Sequence, residues 1–278
     1  MPIHDPCLRY PSVPAVVSRS TEEEWVWYAT ELNGHPAGGL VAANGPSVAY
    51  SILDAPVAPW TDAVLTNQNA WTSALDFVIT NACEGATTET NALAELTQFL
   101  FSGHGLVYDI KGGWPNYCTS SHGGIFRLSK YIAKTGTGSP SHPMSGNEVD
   151  CYDQASAITA LGRLIGVNVL YRHMPSFGYV NETDLIGIGR CNNPFYPLSS
   201  SLLPIAGSDD VYPARLPFGN HSFAEYNALI FDACAGPACG TSPIVDYLNT
   251  AIDSSTFPEQ SIAGNAGLLE TGNVTALE

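Results

Sequence analysis

Apolar and polar positions divide the chain into a strand-rich start, a helical middle and a second strand-rich region. Between residues 25 and 53, short apolar runs alternate with turn residues, which predicts a small antiparallel β unit. Apolar residues then recur at helical spacing over 70–82 and 87–101, and a third, shorter helix is predicted over 125–133. These patterns indicate a protein that mixes helices and strands.

A mostly buried helix is predicted to begin at Cys151 and to end before Gly166. Asp150 is a favourable N-cap residue, Asp153 follows three positions later as in a capping box, and Gly166 stands where a C′ glycine would stand. Cys151 therefore lies in the first turn, where unpaired amides and the helix dipole favour an anion. This position predicts a thiol that is more acidic and more nucleophilic than usual. The alternative is a cysteine that only packs in the core.

Beyond this helix the alternation typical of strands returns. Strands are predicted over 167–173 and 184–189, and a proline-rich loop over 191–216 follows them. Two more strands, 217–226 and 229–233, are predicted to pair through a tight turn at residues 227 and 228.

This hairpin brings two polar residues together. If Glu225 faces Ile230 across it, Phe223 faces Asp232, and His221 lies diagonally opposite Asp232 on the same face of the sheet. The register therefore predicts a hydrogen bond between the His221 imidazole and the Asp232 carboxylate.

Composition narrows the classes of partner. The 278 residues carry a formal net charge of −16, with 13% charged residues and 45% hydrophobic residues. Such a surface repels nucleic acid, so we expect no nucleic-acid partner. No apolar run is long enough to span a bilayer, so we expect neither membrane insertion nor a signal peptide in this stretch. Few lysines and many small polar residues favour an extracellular location over a cytoplasmic one.

The chain contains seven cysteines, an odd number. Three disulfides would leave one thiol over, and the short loop between Cys234 and Cys239 is a candidate for one of them. Seven reduced cysteines in a cytosol are the alternative. The chain contains neither a CxxC pair nor an HExxH motif, so no metal site and no cofactor are predicted.

Three segments resemble one family. They are Cys-Tyr-Asp-Gln-Ala at 151–155 with the helix-to-strand passage up to 169, His-Ser-Phe-Ala-Glu at 221–225, and Asp-Ala-Cys at 232–234. In this order they resemble the transglutaminase-like superfamily, the cysteine-hydrolase fold related to papain. That family typically opens a helix with Cys-x-Asp-x-Ala and carries its histidine in His-x-Trp-x-Glu. Phe223 replaces the tryptophan here, and the spacing from histidine to acid is short.

The resemblance implies an α+β fold in which a central helix packs on an antiparallel sheet, as in transglutaminase-like and papain-like cores. It covers roughly residues 93–257. We accordingly expect an N-terminal β-rich extension over 1–65, a catalytic domain over 66–257 and a flexible tail over 258–278.

The resemblance also implies a function. Cys151 would be the nucleophile, His221 the general base and acid, and Asp232 the residue that orients the imidazole. The oxyanion donors would be the backbone N–H of Cys151 and one upstream group from Asn147, Trp114 or Asn116.

Four interpretations remain open at this stage. Hydrolysis of an amide bond in a protein or peptide substrate is favoured, by a peptidase, amidase or deamidase that needs no metal. The alternatives are an amine-accepting, cross-linking transglutaminase, a catalytically silent binding module on the same fold, and a structural, disulfide-bonded Cys151.

Overall fold

The computed structural model describes residues 16–23, 26–32, 35–43, 47–61, 71–175, 177–178, 180–191, 218–252 and 269–278. The helices in these ranges are α1 (Thr72–Val78), α2 (Glu89–Gln98), α3 (Leu128–Ala133), α4 (Cys151–Leu164) and α5 (Ile244–Ala251). Two π-helical turns, Ile79–Cys83 and Phe99–Gly103, extend α1 and α2. None of these helices is both long and apolar enough to cross a membrane.

Strands lie before, between and after the helices. The first nine are β1 (Ser18–Glu23), β2 (Val26–Leu32), β3 (His35–Ala43), β4 (Ser47–Ser51), β5 (Val107–Tyr108), β6 (Cys118–Ser120), β7 (Gly123–Phe126), β8 (Gly138–Ser139) and β9 (His142–Pro143). The others are β10 (Glu148–Val149), β11 (Leu170–Met174), β12 (Thr183–Leu185), β13 (Gly189–Cys191), β14 (His221–Tyr226), β15 (Leu229–Asp232), β16 (Ala238–Pro243) and β17 (Glu270–Leu277).

A seven-stranded mixed sheet forms the centre of the molecule, in the order β16-β15-β14-β11-β17-β7-β6. Adjacent strands in this sheet run antiparallel, except β17 and β7, which run parallel to each other. Helix α4 packs against β14, β7 and β11. The expected α+β class is therefore confirmed at this level, with a buried helix on a largely antiparallel sheet.

Helix α4 begins and ends as its sequence predicts. The Asp150 side chain accepts a hydrogen bond from the backbone N–H of Asp153 at 2.9 Å, which caps the helix. Gly166 adopts φ +96°, a left-handed conformation that favours glycine after a helix. Within the helix, a Cβ on Gly162 would lie 2.8 Å from side-chain atoms of both Leu93 and Val169, so glycine lets α4 pack closely against α2 and against Val169.

The N-terminal β unit is present, as β1 paired with β4 and β2 paired with β3. It is joined to the rest of the protein. Val17 and Trp60 belong to the main hydrophobic core, and the Trp60 indole N–H donates to the Ala160 carbonyl of α4 at 2.8 Å. Residues 33–34 and 44–46, which separate the strands of this unit, lie outside the described ranges. Residues 62–70 and almost all of the predicted loop over 191–216 also lie outside them.

Several expectations about elements were wrong. The flexible tail over 258–278 is contradicted at its end, because β17 pairs with β11 on one side and β7 on the other in the central sheet. The helix predicted over 125–133 is strand β7 followed by α3, since Gly123 and Gly124 at positive φ turn the chain into the sheet. The strand predicted over 184–189 is the end of β12, a turn and the start of β13.

Candidate active site

A histidine and an aspartate are joined by a buried hydrogen bond at one end of the β14–β15 hairpin. The distance from His221 Nε2 to Asp232 Oδ2 is 2.8 Å, and each side chain is 1% exposed. Tyr247 on α5 donates its hydroxyl hydrogen to the same oxygen at 2.7 Å, and the backbone N–H of Cys234 donates to Asp232 Oδ1 at 2.7 Å. Three donors therefore hold the carboxylate and fix its orientation.

The hairpin forms as its sequence predicts. Glu225 pairs with Ile230, and the turn residues Asn227 and Ala228 adopt φ values of 50° and 61°. Two consecutive positive φ values are typical of the type I′ turn, which matches the twist of the flanking strands. In this register Phe223 lies opposite Asp232, so His221, two positions before Phe223, shares a face of the sheet with Asp232. The hydrogen bond predicted between His221 and Asp232 is confirmed.

Cys151 lies at the first position of α4 and is 3% exposed, with a free thiol. The backbone N–H of Ser222, the residue after His221, lies beside the sulfur and acts to lower the pKa of the thiol. The nucleophile candidate is thus held against the strand that carries the histidine. Because the thiol is free, the alternative of a disulfide-bonded Cys151 is not what the structure shows.

The expectation of an acidic thiol was wrong. Burial raises the pKa of Cys151 well above its usual value, and the nearby Asp150, Asp232 and Asp153 carboxyls raise it further. The Ser222 N–H acts in the opposite direction but is outweighed. The dipole argument from sequence missed these effects because desolvation and three acidic neighbours depend on the folded structure.

Aromatic rings surround the imidazole. The ring centroids of Phe177, Phe223 and Phe218 lie 4.7, 5.8 and 5.9 Å from that of His221. Among the described residues, His221 Nδ1 has no hydrogen-bond partner, and no hydrogen bond joins it to Cys151. The structure therefore places the Cys151 sulfur beside the strand that carries His221, and it pairs His221 with Asp232. The remaining contact of the predicted triad, a hydrogen bond between Cys151 and His221, is not formed.

The expected oxyanion donors have other partners. The backbone N–H of Trp114 donates to Asp109 at 3.0 Å, and the Asn147 side-chain oxygen accepts from Ser145 at 2.9 Å. Neither forms a hydrogen bond to Cys151 within the described part of the chain. The Asn116 amide donates to the Ser145 and Glu148 carbonyls at 3.0 and 2.9 Å. The Cys151 N–H remains a suitable donor, because the first N–H of a helix has no partner within the helix.

Asp153 fixes the loop beside the nucleophile. Its carboxylate accepts the backbone N–H groups of Asn116, Tyr117 and Cys118 at 2.8, 2.9 and 2.8 Å. Burial raises its pKa to about 6. Asp150 caps the helix as predicted, whereas Asp153, expected as the second acid of a capping box, ties α4 to the segment that leads into β6.

Sequence reasoning missed two supporting residues. Gln154 donates to the Ala233 carbonyl at 3.0 Å and accepts the Tyr131 hydroxyl at 2.6 Å, which ties α4 to the residue after Asp232. Tyr247 bonds Asp232 from α5. The sequence carried no clear signal for either residue, because both partners are distant along the chain.

Two groups of side chains could hold a metal ion among the described residues. One is Cys118, Asp150 and Asp153, and the other is His122, His173 and Glu270. In the first group Asp150 caps α4 and Asp153 already accepts three N–H groups, so these side chains serve the fold.

The expected disulfide between Cys234 and Cys239 is not formed, since both thiols are free. Cys234 lies next to the Asp232 site, where its backbone N–H has the role described above.

Comparison of the chain with protein-family models, with curated proteins and with solved structures finds no match in any of the three.

Proposed function

We propose that Cys151, His221 and Asp232 perform thiol-dependent acyl chemistry on amide bonds, with hydrolysis as the favoured reaction. The observation that carries the proposal is the buried His221–Asp232 hydrogen bond, formed on the strand whose next residue contacts the Cys151 sulfur. The transglutaminase-like reading of the sequence supports the same three residues, and the adjacent antiparallel strands β11, β14 and β15 suit such a core.

The hydrogen bonds at Asp232 define the role of each imidazole nitrogen. An ionised carboxylate only accepts hydrogen bonds, so His221 Nε2 carries the ring proton and donates it. The neutral ring then has its lone pair on Nδ1, the atom without a partner among the described residues. His221 can therefore accept the Cys151 proton at Nδ1 while Asp232 stabilises the resulting imidazolium.

The reaction would proceed in two halves. The Cys151 S–H bond breaks, its proton passes to His221 Nδ1, and the thiolate sulfur bonds to the amide carbonyl carbon. The imidazolium then returns the proton to the leaving amine, which leaves a thioester. In the second half His221 takes a proton from water, and the resulting hydroxide bonds to the thioester carbonyl carbon. The C–S bond then breaks to release the acid, and the imidazolium returns its proton to the Cys151 sulfur. An amine in place of water gives the cross-linking alternative.

Because burial raises the pKa of Cys151, its thiol keeps its proton at rest. The thiol is not ionised in advance, so the proton transfer to His221 must accompany attack. We expect a peptide or protein substrate with neutral or cationic groups around the amide, since the chain carries a net charge of −16.

One observation favours the silent binding module instead. Cys151 is 3% exposed and His221 is 1% exposed, with Phe177 and Phe218 beside the imidazole. A working enzyme would have to move these groups to admit a substrate, whereas a scaffold would not.

Alkylation of the native protein separates the two functions. Iodoacetamide labelling between pH 6 and 9, read for each thiol by mass spectrometry, compares Cys151 with Cys83, a buried thiol outside the site whose pKa burial raises to about 12. We expect Cys151 to react faster than Cys83. We also expect His221→Ala to slow Cys151 by about 10² or more, because general-base assistance is typically of that size.

The labelling experiment has a clear negative outcome. If Cys151 reacts no faster than Cys83, or if His221→Ala leaves its rate unchanged while the variant stays folded, the enzyme proposal is wrong. Cys239, which is half-buried, serves as the internal control that reagent is present and active.

A further inference from the structure

The geometry points to a second site, in which His122, His173 and Glu270 bind a divalent transition-metal ion of the Zn²⁺ type. One ring nitrogen of each histidine and one carboxylate oxygen of Glu270 lie within 4.8 Å of one another. Two imidazoles and one carboxylate are a ligand set that suits Zn²⁺ and related first-row ions. The proposal does not depend on the chemistry of Cys151.

Three elements of the sheet bring these residues together. His173 on β11 and Glu270 on β17 are directly opposite each other in the antiparallel register, so their side chains share a face. His122 lies in the turn between β6 and β7, and its carbonyl accepts the Asn273 N–H at 2.9 Å. A Cβ on Gly272 would lie 2.5 Å from that carbonyl oxygen, so glycine permits the turn to approach β17.

Serine side chains hold both histidines by the nitrogen that a metal would not use. His173 Nδ1 lies 2.9 Å from Ser222 Oγ, and His122 Nδ1 lies 2.9 Å from Ser121 Oγ. The Ser222 hydroxyl donates its hydrogen to the Ser121 carbonyl at 3.1 Å. It must therefore accept from His173 Nδ1–H, which leaves the lone pair on His173 Nε2.

Histidines that bind a metal ion usually have such a hydrogen-bond partner on the ring nitrogen that does not touch the ion. A partner on one ring nitrogen fixes the tautomer and the orientation of the ring, and it presents the other nitrogen to the ion. In His122 that second nitrogen, Nε2, lies 2.6 Å from Glu270 Oε2. The two imidazole rings stand 4.2 Å apart between centroids. One ligand atom from each of the three side chains thus lies close to the other two.

The ion would enter from solvent with a small adjustment. The His122 and Glu270 side chains are 42% and 51% exposed, whereas His173 is buried at 3%. Tetrahedral Zn²⁺ with bonds of about 2.0–2.1 Å holds two ligand atoms about 3.3 Å apart. The His122 and Glu270 ligand atoms, now 2.6 Å apart, therefore need to separate by about 0.7 Å, and the fourth position would face water.

The ordinary alternative is a surface ion pair between His122 and Glu270, which contributes little to stability. That reading accounts for the 2.6 Å contact. It gives no reason for His173 to stand beside the pair with its Nδ1 fixed by Ser222 and its Nε2 lone pair available.

Co²⁺, a spectroscopic substitute for Zn²⁺, tests the site in the full chain. We expect one equivalent to bind, with visible d–d absorption, without a thiolate charge-transfer band, and with displacement by Zn²⁺. His122→Ala and Glu270→Ala should each weaken binding by about tenfold or more, as loss of even outer-shell partners costs 10- to 100-fold. Both residues are partly exposed, so both variants should fold.

Matched controls are His142→Ala and Glu278→Ala, a histidine and an acid that also form ion pairs elsewhere. Both should bind Co²⁺ like the unaltered protein. The proposal is overturned if no saturable binding occurs, if His122→Ala binds unchanged, if the controls weaken binding equally, or if a thiolate band shows that a cysteine is the ligand.

Discussion

Tyr247 and His221 donate to the same oxygen of Asp232, at 2.7 and 2.8 Å. A carboxylate that receives a phenol, an imidazole and a backbone N–H is well compensated for its burial. The phenol also fixes where the carboxylate points, because α5 is packed on the β15–β16 side of the sheet. Tyr247 is therefore a positioning residue for the proposed chemistry and a structural one for the fold.

Removing this hydroxyl should be costly. Tyr247→Phe leaves Asp232 Oδ2 with one donor fewer in a buried place, so we expect a loss of about 1–3 kcal/mol in the free energy of unfolding. The matched control is Tyr50→Phe, because Tyr50 donates to Asp76 at 2.8 Å nearer the surface, where water can replace it. Chemical denaturation measures both. Equal losses in the two variants would contradict the role given to Tyr247.

The start of helix α4 carries two buried carboxyl groups with different tasks. Asp150 caps the helix, and Asp153 accepts three backbone N–H groups from the segment before β6. Burial raises the pKa of both, and it raises that of Asp153 to about 6. The folded protein therefore holds protons there that the unfolded chain releases near pH 4.

The sign of the resulting pH dependence follows from linkage. Where the folded state binds more protons than the unfolded state, stability falls as pH rises. The contribution of Asp153 is thus fully present below about pH 4 and is lost as pH rises through 6. Asp150 contributes with the same sign.

Asp153→Asn should flatten this dependence, since the amide does not titrate. Denaturant unfolding at pH 4, 5, 6 and 7 gives the slope for each protein, and the slope is informative even if the variant is less stable throughout. Asp184→Asn, at an exposed carboxylate, is the control that should keep the slope of the unaltered chain. An unchanged slope in Asp153→Asn would show that its pKa is not raised.

Elements that depend only on residues close together in the sequence were predictable. The caps of α4, its C′ glycine and the β14–β15 register each follow from a few neighbouring residues, and all three are confirmed. The His221–Asp232 bond was predictable for the same reason, because both residues belong to one hairpin. The raised pKa of Cys151 was not, since it arises from burial and from groups that only tertiary structure brings near.

The central sheet depends on a strand that the sequence did not predict. Residues 270–277 alternate weakly, with glycine, asparagine and threonine among them, so their composition resembled a loose tail. In the fold they pair with β11 and β7 and bury Val274 completely. Pairing between strands distant in sequence overrides local propensity here. The proximity of His122, His173 and Glu270 was not predicted for the same reason, because three separate elements supply these residues.

Substitutions in β17 test how much it supports. Val274→Asp places an unpaired charge in the core, and we expect a loss of about 4 kcal/mol or more. Thr275→Asp, one position along on the exposed face, should change stability by about 0.5 kcal/mol or less. Thermal unfolding compares the stability of the two variants. Comparable melting temperatures would mean that β17 is not part of the cooperative unit.

The position of β17 between β11 and β7 also has a consequence for synthesis. A growing chain of about 260 residues already contains α4, Cys151 and the His221–Asp232 hairpin, yet β11 and β7 still lack the strand that joins them. Exposed strand edges of this kind attract other chains. The sheet therefore closes only when residues 270–277 are available to pair with β11 on one side and with β7 on the other.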